Sequence, residues 1–354
     1  MNGFPTSHWH RTAKDRIQCE VCPKACKLKE GQRGLCFVRQ NSGNQIVLTT
    51  YGKSSGFCID PIEKKPLNHY FPGTPVLSFG TAGCNLTCKF CQNWDISRSK
   101  EFDRLSENAS PTKIAAAASS HKCKSVALTY NEPVIFLEYG RDVADACHEL
   151  GVQVVAVTNG YVHKKAREAF FSFIDAANVD LKAFSESFYT SLTGGDLKTV
   201  LETLSYIRNK TSVWLEITTL IIPGENDSDI EIKKLSEWVL NELGSETPLH
   251  FSAFHPDYKM KEKSSTSLSS LVRARDIARE SGLSHVYTGN VTYRPGDTTF
   301  CHKCGATLIE REWYEISKYR LTEFGCCYKC GTQLAGIFDR KSGDWGSKRR
   351  SIRL

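Results

Sequence analysis

Residues 78–93, Ser78-Phe79-Gly80-Thr81-Ala82-Gly83-Cys84-Asn85-Leu86-Thr87-Cys88-Lys89-Phe90-Cys91-Gln92-Asn93, decide how the chain is to be read. A short apolar run and a glycine-rich turn lead into three cysteines spaced C-x3-C-x2-C. Tetrahedral zinc needs four ligands, and no cysteine or histidine follows Cys91 within the next twenty-five residues. Three thiolates on one loop suit a [4Fe–4S] cluster in which three irons are tied down and one stays open to a small-molecule ligand. A structural metal loop is the bland alternative. The strand before the motif and the aromatic Phe90 inside it speak against that.

Outward from this loop the chain alternates. Apolar or β-branched runs predict strands at 76–81, 126–130, 152–157, 177–181, 213–222, 249–254 and 285–288. Between them, helices are expected from Pro111 onward and over 134–150, 163–173, 197–209, 227–243 and 267–281. Such alternation argues a parallel, barrel-like α/β domain. In that architecture reactive groups gather at the C-terminal ends of strands. Thr129 to Pro133, Thr158-Asn159-Gly160, Asp180-Leu181-Lys182, Thr218, Thr219, Pro223-Gly224, His255-Pro256 and Gly289-Asn290 all fall there. Upstream, a strand is expected over 45–50, followed by a polar, proline-marked connection over 60–67.

Fifteen cysteines without an apolar leader segment read as metal ligands rather than disulfides. Cys19, Cys22, Cys26 and Cys36 close a full coordination shell, for zinc or for an auxiliary Fe–S cluster; spacing leaves both open. Cys301, Cys304, Cys327 and Cys330 form two C-x2-C-G knuckles with short strands expected at 307–313 and 319–324. That is a zinc-ribbon pattern, with Cys326 as an alternative to Cys327 and a rubredoxin-like iron as the alternative metal. Of the remaining cysteines, Cys123 and Cys147 lie in apolar segments as small core residues.

Composition is that of a globular enzyme: 354 residues, 40% hydrophobic, 24% charged, formal charge +7. No apolar run approaches the roughly twenty residues of a membrane span, and residues 1–18 lack an apolar core, so a cytoplasmic protein is expected. Part of the charge sits at 341–354, where Lys348, Arg349, Arg350 and Arg353 are expected on a solvated basic tail.

The cysteine loop resembles that of the radical S-adenosylmethionine (SAM) superfamily, C-x3-C-x-Φ-C with an aromatic at Φ, here Phe90. Over nearly the whole chain the closer resemblance is to the radical SAM enzymes of the AmmeMemoRadiSam system, related to pyruvate formate-lyase activating enzymes. It is carried by the Cys19–Cys36 module with 34–41, by 60–67, 83–94, 129–133 and 220–224, and by the C-terminal knuckles. The resemblance implies a partial (βα)6 TIM-like radical SAM barrel over 73–295. A four-cysteine module and connector precede it (1–72); a zinc-ribbon-like module (296–340) and the tail follow.

The same resemblance implies a [4Fe–4S] cluster on Cys84, Cys88 and Cys91 that cleaves SAM reductively. The resulting 5′-deoxyadenosyl radical takes hydrogen from a substrate the residues do not name. It places Phe90 near the adenine and Glu132 on the SAM amino group, with Thr129-Tyr130-Asn131 standing where the superfamily has glycines. Lys182 would face the SAM carboxylate, and Asn159 or Asp180 the ribose. Implied partners are a reductant such as flavodoxin or ferredoxin, and Memo-like and AMMECR-like proteins. Two other functions compete: an activase of glycyl-radical enzymes, and a metal-stabilised module that binds nucleic acid or protein without catalysis. The intact cysteine trio favours catalysis.

Overall fold

Strand runs that are apolar on both faces belong in a sheet covered on both sides. In the computed structural model, which describes residues 3–13, 15–97 and 107–354, seven such runs pair in chain order. They are β1 (Pro75–Gly80), β2 (Ser125–Leu128), β3 (Gln153–Thr158), β4 (Ala176–Asp180), β5 (Trp214–Ile221), β6 (Leu249–Ala253) and β7 (Val286–Gly289). Every neighbouring pair among them is parallel. The crossovers carry α1 (Pro111–Ser120), α2 (Leu137–Glu149), α3 (Lys164–Phe171), α4 (Leu197–Lys210), α5 (Asp229–Leu243) and α6 (Leu268–Glu280). Ser110, Asp196, Ser228 and Ser267 each accept a backbone N–H in the first turn of the helix they open, which fixes where α1, α4, α5 and α6 begin. Six strand–helix steps and a seventh strand put every strand's C-terminal end at one mouth. No helix among the described residues is long and apolar enough to cross a membrane.

Two segments differ from the sequence expectation. Residues 62–67 form the expected connection, but Asp60 and Pro61 end a strand the sequence does not suggest, Lys53–Pro61, antiparallel to β1 on its outer side. Its polar start, Gly56 and a register shift between Ser55 and Cys58 hide the alternation of a strand. Fully buried Asp60 at its end accepts from Lys64 and Lys65 at 3.1 and 2.8 Å, which satisfies the carboxylate there. Residues 341–354 keep Lys348, Arg349, Arg350 and Arg353 exposed, as expected of a solvated basic segment, but the segment is not a free tail: Arg350–Ser351 lies antiparallel against that same strand. Trp345, Ile352 and Leu354 pack partly buried on the main core. The apolar residues spaced among the arginines hold the segment down.

At the N-terminus, Trp9–Thr12, Arg16–Cys19 and Lys27–Leu28 form a small antiparallel sheet. A second joins Phe4–Pro5, Ile46–Leu48 and Arg39–Asn41. The C-terminal module is built on Thr299–Phe300, Thr307–Glu312 and Glu315–Tyr319. Its third strand lies earlier than the expected 319–324 because Trp313, at φ 55°, turns the chain directly after Glu312. Arg311 pins this module under the barrel: nearly fully buried, it donates to Asn68 O at 2.7 Å and to Thr299 Oγ1 at 3.0 Å.

Beside Arg311, burial raises the Asp297 carboxyl to about 7 from its ordinary 3.8, the arginine notwithstanding. The folded protein therefore keeps a proton that the unfolded chain releases, and stability falls as pH rises from about 4 to about 7. Asp297→Asn is expected to raise the melting temperature at pH 8 by roughly 2–4 °C, a modest gain because the group is only partly shielded. It should leave the value at pH 4 unchanged. Calorimetry at the two pH values checks this, and an equal shift at both would exclude Asp297 as the cause.

Candidate active site

The cysteine loop leaves β1 through Gly80 and Gly83, where side chains have no room. A Cβ on Gly80 would lie 2.6 Å from Thr129 O, and one on Gly83, at φ 88°, would lie 2.1 Å from Cys36 O. Asn131 holds the turn from the neighbouring strand: its amide donates to Gly83 O at 3.0 Å and Thr81 Oγ1 at 3.2 Å, and its Oδ1 accepts from Thr81 N at 3.0 Å. The loop is tied to a π-helical turn, Tyr189–Thr193, by Thr87 N to Thr193 O at 2.7 Å and Lys89 N to Leu192 O at 2.9 Å. Asn85 Nδ2 donates to Tyr161 O at 2.8 Å. A loop held from three sides presents its sulfurs in a fixed arrangement.

Those sulfurs face a cavity of about 290 Å³ at the strands' C-terminal ends. Cys84, Cys88, Cys91 and Phe90 line it with Glu132, Asn159, Asp180 and Lys182, so the structure brings all of these sequence-selected residues together. Thr218 and Asn290 line it too. Thr219 turns away to donate to Leu181 O at 2.7 Å, and Pro223, Gly224, His255 and Pro256 are absent from the lining. Tyr130 and Asn131, expected at the end of β2, line it as well, whereas Gln92, Asn93, Ser97 and Ser252 are contacts the sequence reading does not select. The available signal for Ser252 was a polar residue inside an otherwise apolar strand.

Glu132, 3% exposed, accepts from Thr158 Oγ1 at 2.6 Å, Asn159 N at 2.7 Å and Val134 N at 3.1 Å. Burial raises its carboxyl to about 7 even so. Three donors leave part of the acceptor capacity of the two oxygens free for a ligand. Asn159 is tied to the loop: Nδ2 donates to Asn85 Oδ1 at 2.9 Å and reaches Cys84 Sγ at 4.0 Å, and Oδ1 accepts from Tyr161 N at 2.8 Å. Lys182 Nζ donates to Asp180 Oδ2 at 2.8 Å and lies 5.8 Å from the centre of the Phe90 ring. Burial opposes the ammonium, but Asp180 and Cys88 outweigh it and raise Lys182. Tyr130 stands at φ 68°, a left-handed conformation where the superfamily motif has glycine. Its hydroxyl donates to Asp60 Oδ2 at 3.3 Å and Lys65 Nζ sits 5.2 Å from its ring centre, contacts that offset the strain.

The residues fit an iron–sulfur cluster and SAM. Burial raises the thiols of Cys84 and Cys88, the latter to about 11, so neighbouring sulfurs here resist ionising without a metal's positive charge. Thr218 Oγ1 is buried in the cavity region with no hydrogen-bond partner, an orphan that a polar ligand would satisfy.

The other two cysteine sets differ in geometry. Cys301 and Cys330 sulfurs are 3.6 Å apart, and those of Cys304 and Cys327 3.7 Å. Thiolates about 2.3 Å from one zinc ion sit about 3.8 Å from each other, so this set has the span of a single-metal site. Cys326 points elsewhere, to Gln333 Oε1 at 3.1 Å. Cys19, Cys22, Cys26 and Cys36 line a closed cavity of about 20 Å³ together with Arg39 and Asn85. Among the described residues, only the C-terminal four have all their sulfurs within 4.8 Å of one another. Arg39 is buried with Glu138, donates from Nε to Ile135 O at 2.9 Å, and lies close enough to Cys19 and Cys36 to lower both thiols against the rise that burial imposes.

Comparison with known proteins agrees with this geometry. The sequence model of the Radical SAM superfamily matches residues 79–235. The chain is 39% identical over 321 residues to an uncharacterised protein of Methanocaldococcus jannaschii, covering 90% of this chain and 95% of that one. It is 29% identical over 164 residues to a second protein of that organism, provisionally named as a glycyl-radical enzyme activating enzyme, covering 46% of this chain and 61% of the relative. To the 4-hydroxyphenylacetate decarboxylase activating enzyme of Clostridioides difficile it is 23% identical over 292 residues, covering 77% and 89%.

Proposed function

We infer, for a chain that belongs to the radical SAM superfamily, that the barrel-mouth cavity is where this enzyme holds its cluster and SAM and takes hydrogen from a substrate. The observation that carries the inference is convergence: three cysteines from one loop meet carboxylate, ammonium and amide groups from three further strand ends in one cavity. When bound, the cluster and SAM supply one-electron cleavage of the C5′–S bond, giving a 5′-deoxyadenosyl radical that abstracts the hydrogen atom.

The chain's own residues bind, orient and shield. Cys84, Cys88 and Cys91 would hold three irons. Glu132, its ring of donors incomplete, would take the SAM amino group. Lys182 has three N–H donors and spends one on Asp180, which leaves it able to bind the SAM carboxylate. With Asn159 committed to Asn85 and Tyr161, Asp180 is the better ribose contact, and Asn159 positions the loop. Phe90 offers the apolar surface beside the adenine, while Pro66 and Leu220 help keep water from the reacting atoms.

The C-terminal four cysteines suit zinc. The N-terminal four, beside the Arg39 cation, leave both zinc and an auxiliary [4Fe–4S] cluster open, and the small cavity between them asks for side-chain movement before the larger group enters. A flavodoxin- or ferredoxin-type reductant would supply the electron. A second reading, hydrogen abstraction from a backbone glycine of a partner protein, is favoured by the activating-enzyme names of two relatives. Memo-like and AMMECR-like proteins are the partners to try first.

Protein loaded anaerobically with iron and sulfide and reduced with dithionite is expected to convert SAM to 5′-deoxyadenosine and methionine, read by chromatography. Fully loaded protein that releases no 5′-deoxyadenosine would overturn this assignment of the cavity.

A further inference from the structure

Three histidines sit beneath the barrel, at the face opposite the cysteine loop. Two have hydrogen-bond partners. His69 has Ala335 O and Tyr287 OH each at 2.6 Å from its ring nitrogens, and His250 Nε2 meets Glu216 Oε2 at 2.7 Å. The third, His285, directly precedes β7, is 2% exposed, and its Nε2 is buried with no hydrogen-bond partner. A buried ring nitrogen left unpaired carries the cost of its desolvation with nothing to offset it, so the position calls for a ligand.

Two further donors lie beside it. His302, between Cys301 and Cys304 of the first knuckle, and Glu246, between α5 and β6, each bring a ligand atom to His285. One donor atom from each of the three lies within 4.8 Å of the other two. His302 Nδ1 is 3.7 Å from Glu246 Oε1, and the two imidazole rings are 6.0 Å apart, edge to face. We propose that Glu246, His285 and His302 form a divalent transition-metal site, zinc by its donor set, which fastens the C-terminal module to the floor of the barrel.

Two imidazoles and a carboxylate are the donor set of many three-ligand zinc sites. Donors on one zinc stand about 3.3 Å apart, and the exposed side chains of Glu246 and His302 have the freedom to close that distance onto the fixed His285. The fourth position would face the cleft that His285 and His302 share with Arg275, Arg279 and Tyr293. Water or a small carboxylate would complete the shell there. The site shares no donor with the four ribbon cysteines, though His302 sits between two of them, and it takes no part in the radical chemistry, so its existence and that of the SAM site are tested separately.

The experiment uses the full chain, stripped of metal and titrated with zinc and, in parallel, with cobalt(II). At micromolar free zinc the wild type is expected to hold about one zinc per chain more than His302→Ala, His285→Asn or Glu246→Gln. With cobalt, the variants should lose a weak visible band without thiolate charge transfer and keep the intense thiolate bands of the cysteine sites. Equal metal content and equal spectra in wild type and variants would overturn the proposal. If His302→Ala or His285→Asn also lost the thiolate bands, the knuckle itself would be disturbed, and Glu246→Gln, remote from the cysteines in sequence, decides the question.

Discussion

Cys88→Ala is expected to bring 5′-deoxyadenosine formation down to the level of a protein-free control while metal bound by the four C-terminal cysteines stays in place. Cys88 contributes one of only three thiolates in the cavity, so the variant retains two ligands for a cluster that needs three irons tied down. A weakened ligand would slow the reaction; a missing one removes the group that carries the electron. The substitution is also mild for folding. Cys88 is not fully buried, and its loop stays tied through the backbone contacts of Thr87 and Lys89 to the π-helical turn. Iron and zinc counting on the purified variant separates the two readings of a silent enzyme. Zinc unchanged and iron reduced is the expected result. Turnover equal to the wild type would remove Cys88 from the ligand set.

The second large effect concerns the N-terminal module. Arg39 and Glu138, 1% and 2% exposed as side chains, form an ion pair between the four-cysteine module and α2. Arg39→Ala would leave the Glu138 carboxylate buried without its charge partner, a loss of about 3–5 kcal/mol. In a chain of this size that lowers the melting temperature by roughly 10 °C. Because Arg39 also lies beside Cys19 and Cys36, the variant should lose whatever metal this module holds before any iron leaves the cavity loop. The control is the double substitution Arg39→Met with Glu138→Leu. Replacing both charges together should recover most of the stability but none of the cationic surroundings of the thiols. A single Arg39→Ala variant that melts with the wild type would show that Glu138 finds another partner.

How much of this was legible in the sequence follows from what each residue has to satisfy. Strands β1 to β7 are buried on both faces, so they appear as apolar runs, and the polar residues that end them are conspicuous. Glu132, Asp180 and Lys182 could be selected for that reason. Lys53–Pro61 could not, because it mixes buried and polar positions and is interrupted by a bulge. Ser252 and Gln92 reach the cavity through three-dimensional placement that no spacing rule encodes. The knuckles predicted four converging thiols, whereas His285 looked like the start of a strand. Only the fold shows that it is buried without a partner, close to His302 and Glu246, residues of quite different sequence position.

The pairing of Arg350–Ser351 with Lys53–Pro61 joins positions as far apart as Cys58 and Ser351, 293 residues along the chain. During synthesis the ribosome must add almost the whole of that length before the sheet's outer edge has a neighbour on that side. Until then the edge strand offers open backbone groups to any passing extended segment, at a stage when the β-sheet behind it is still being laid down. This contact of very high sequence separation is therefore a late event in folding. The strand Lys53–Pro61, which separates the cysteine-bearing strand β1 from this last pairing, is therefore the part of the sheet left longest without its outer neighbour.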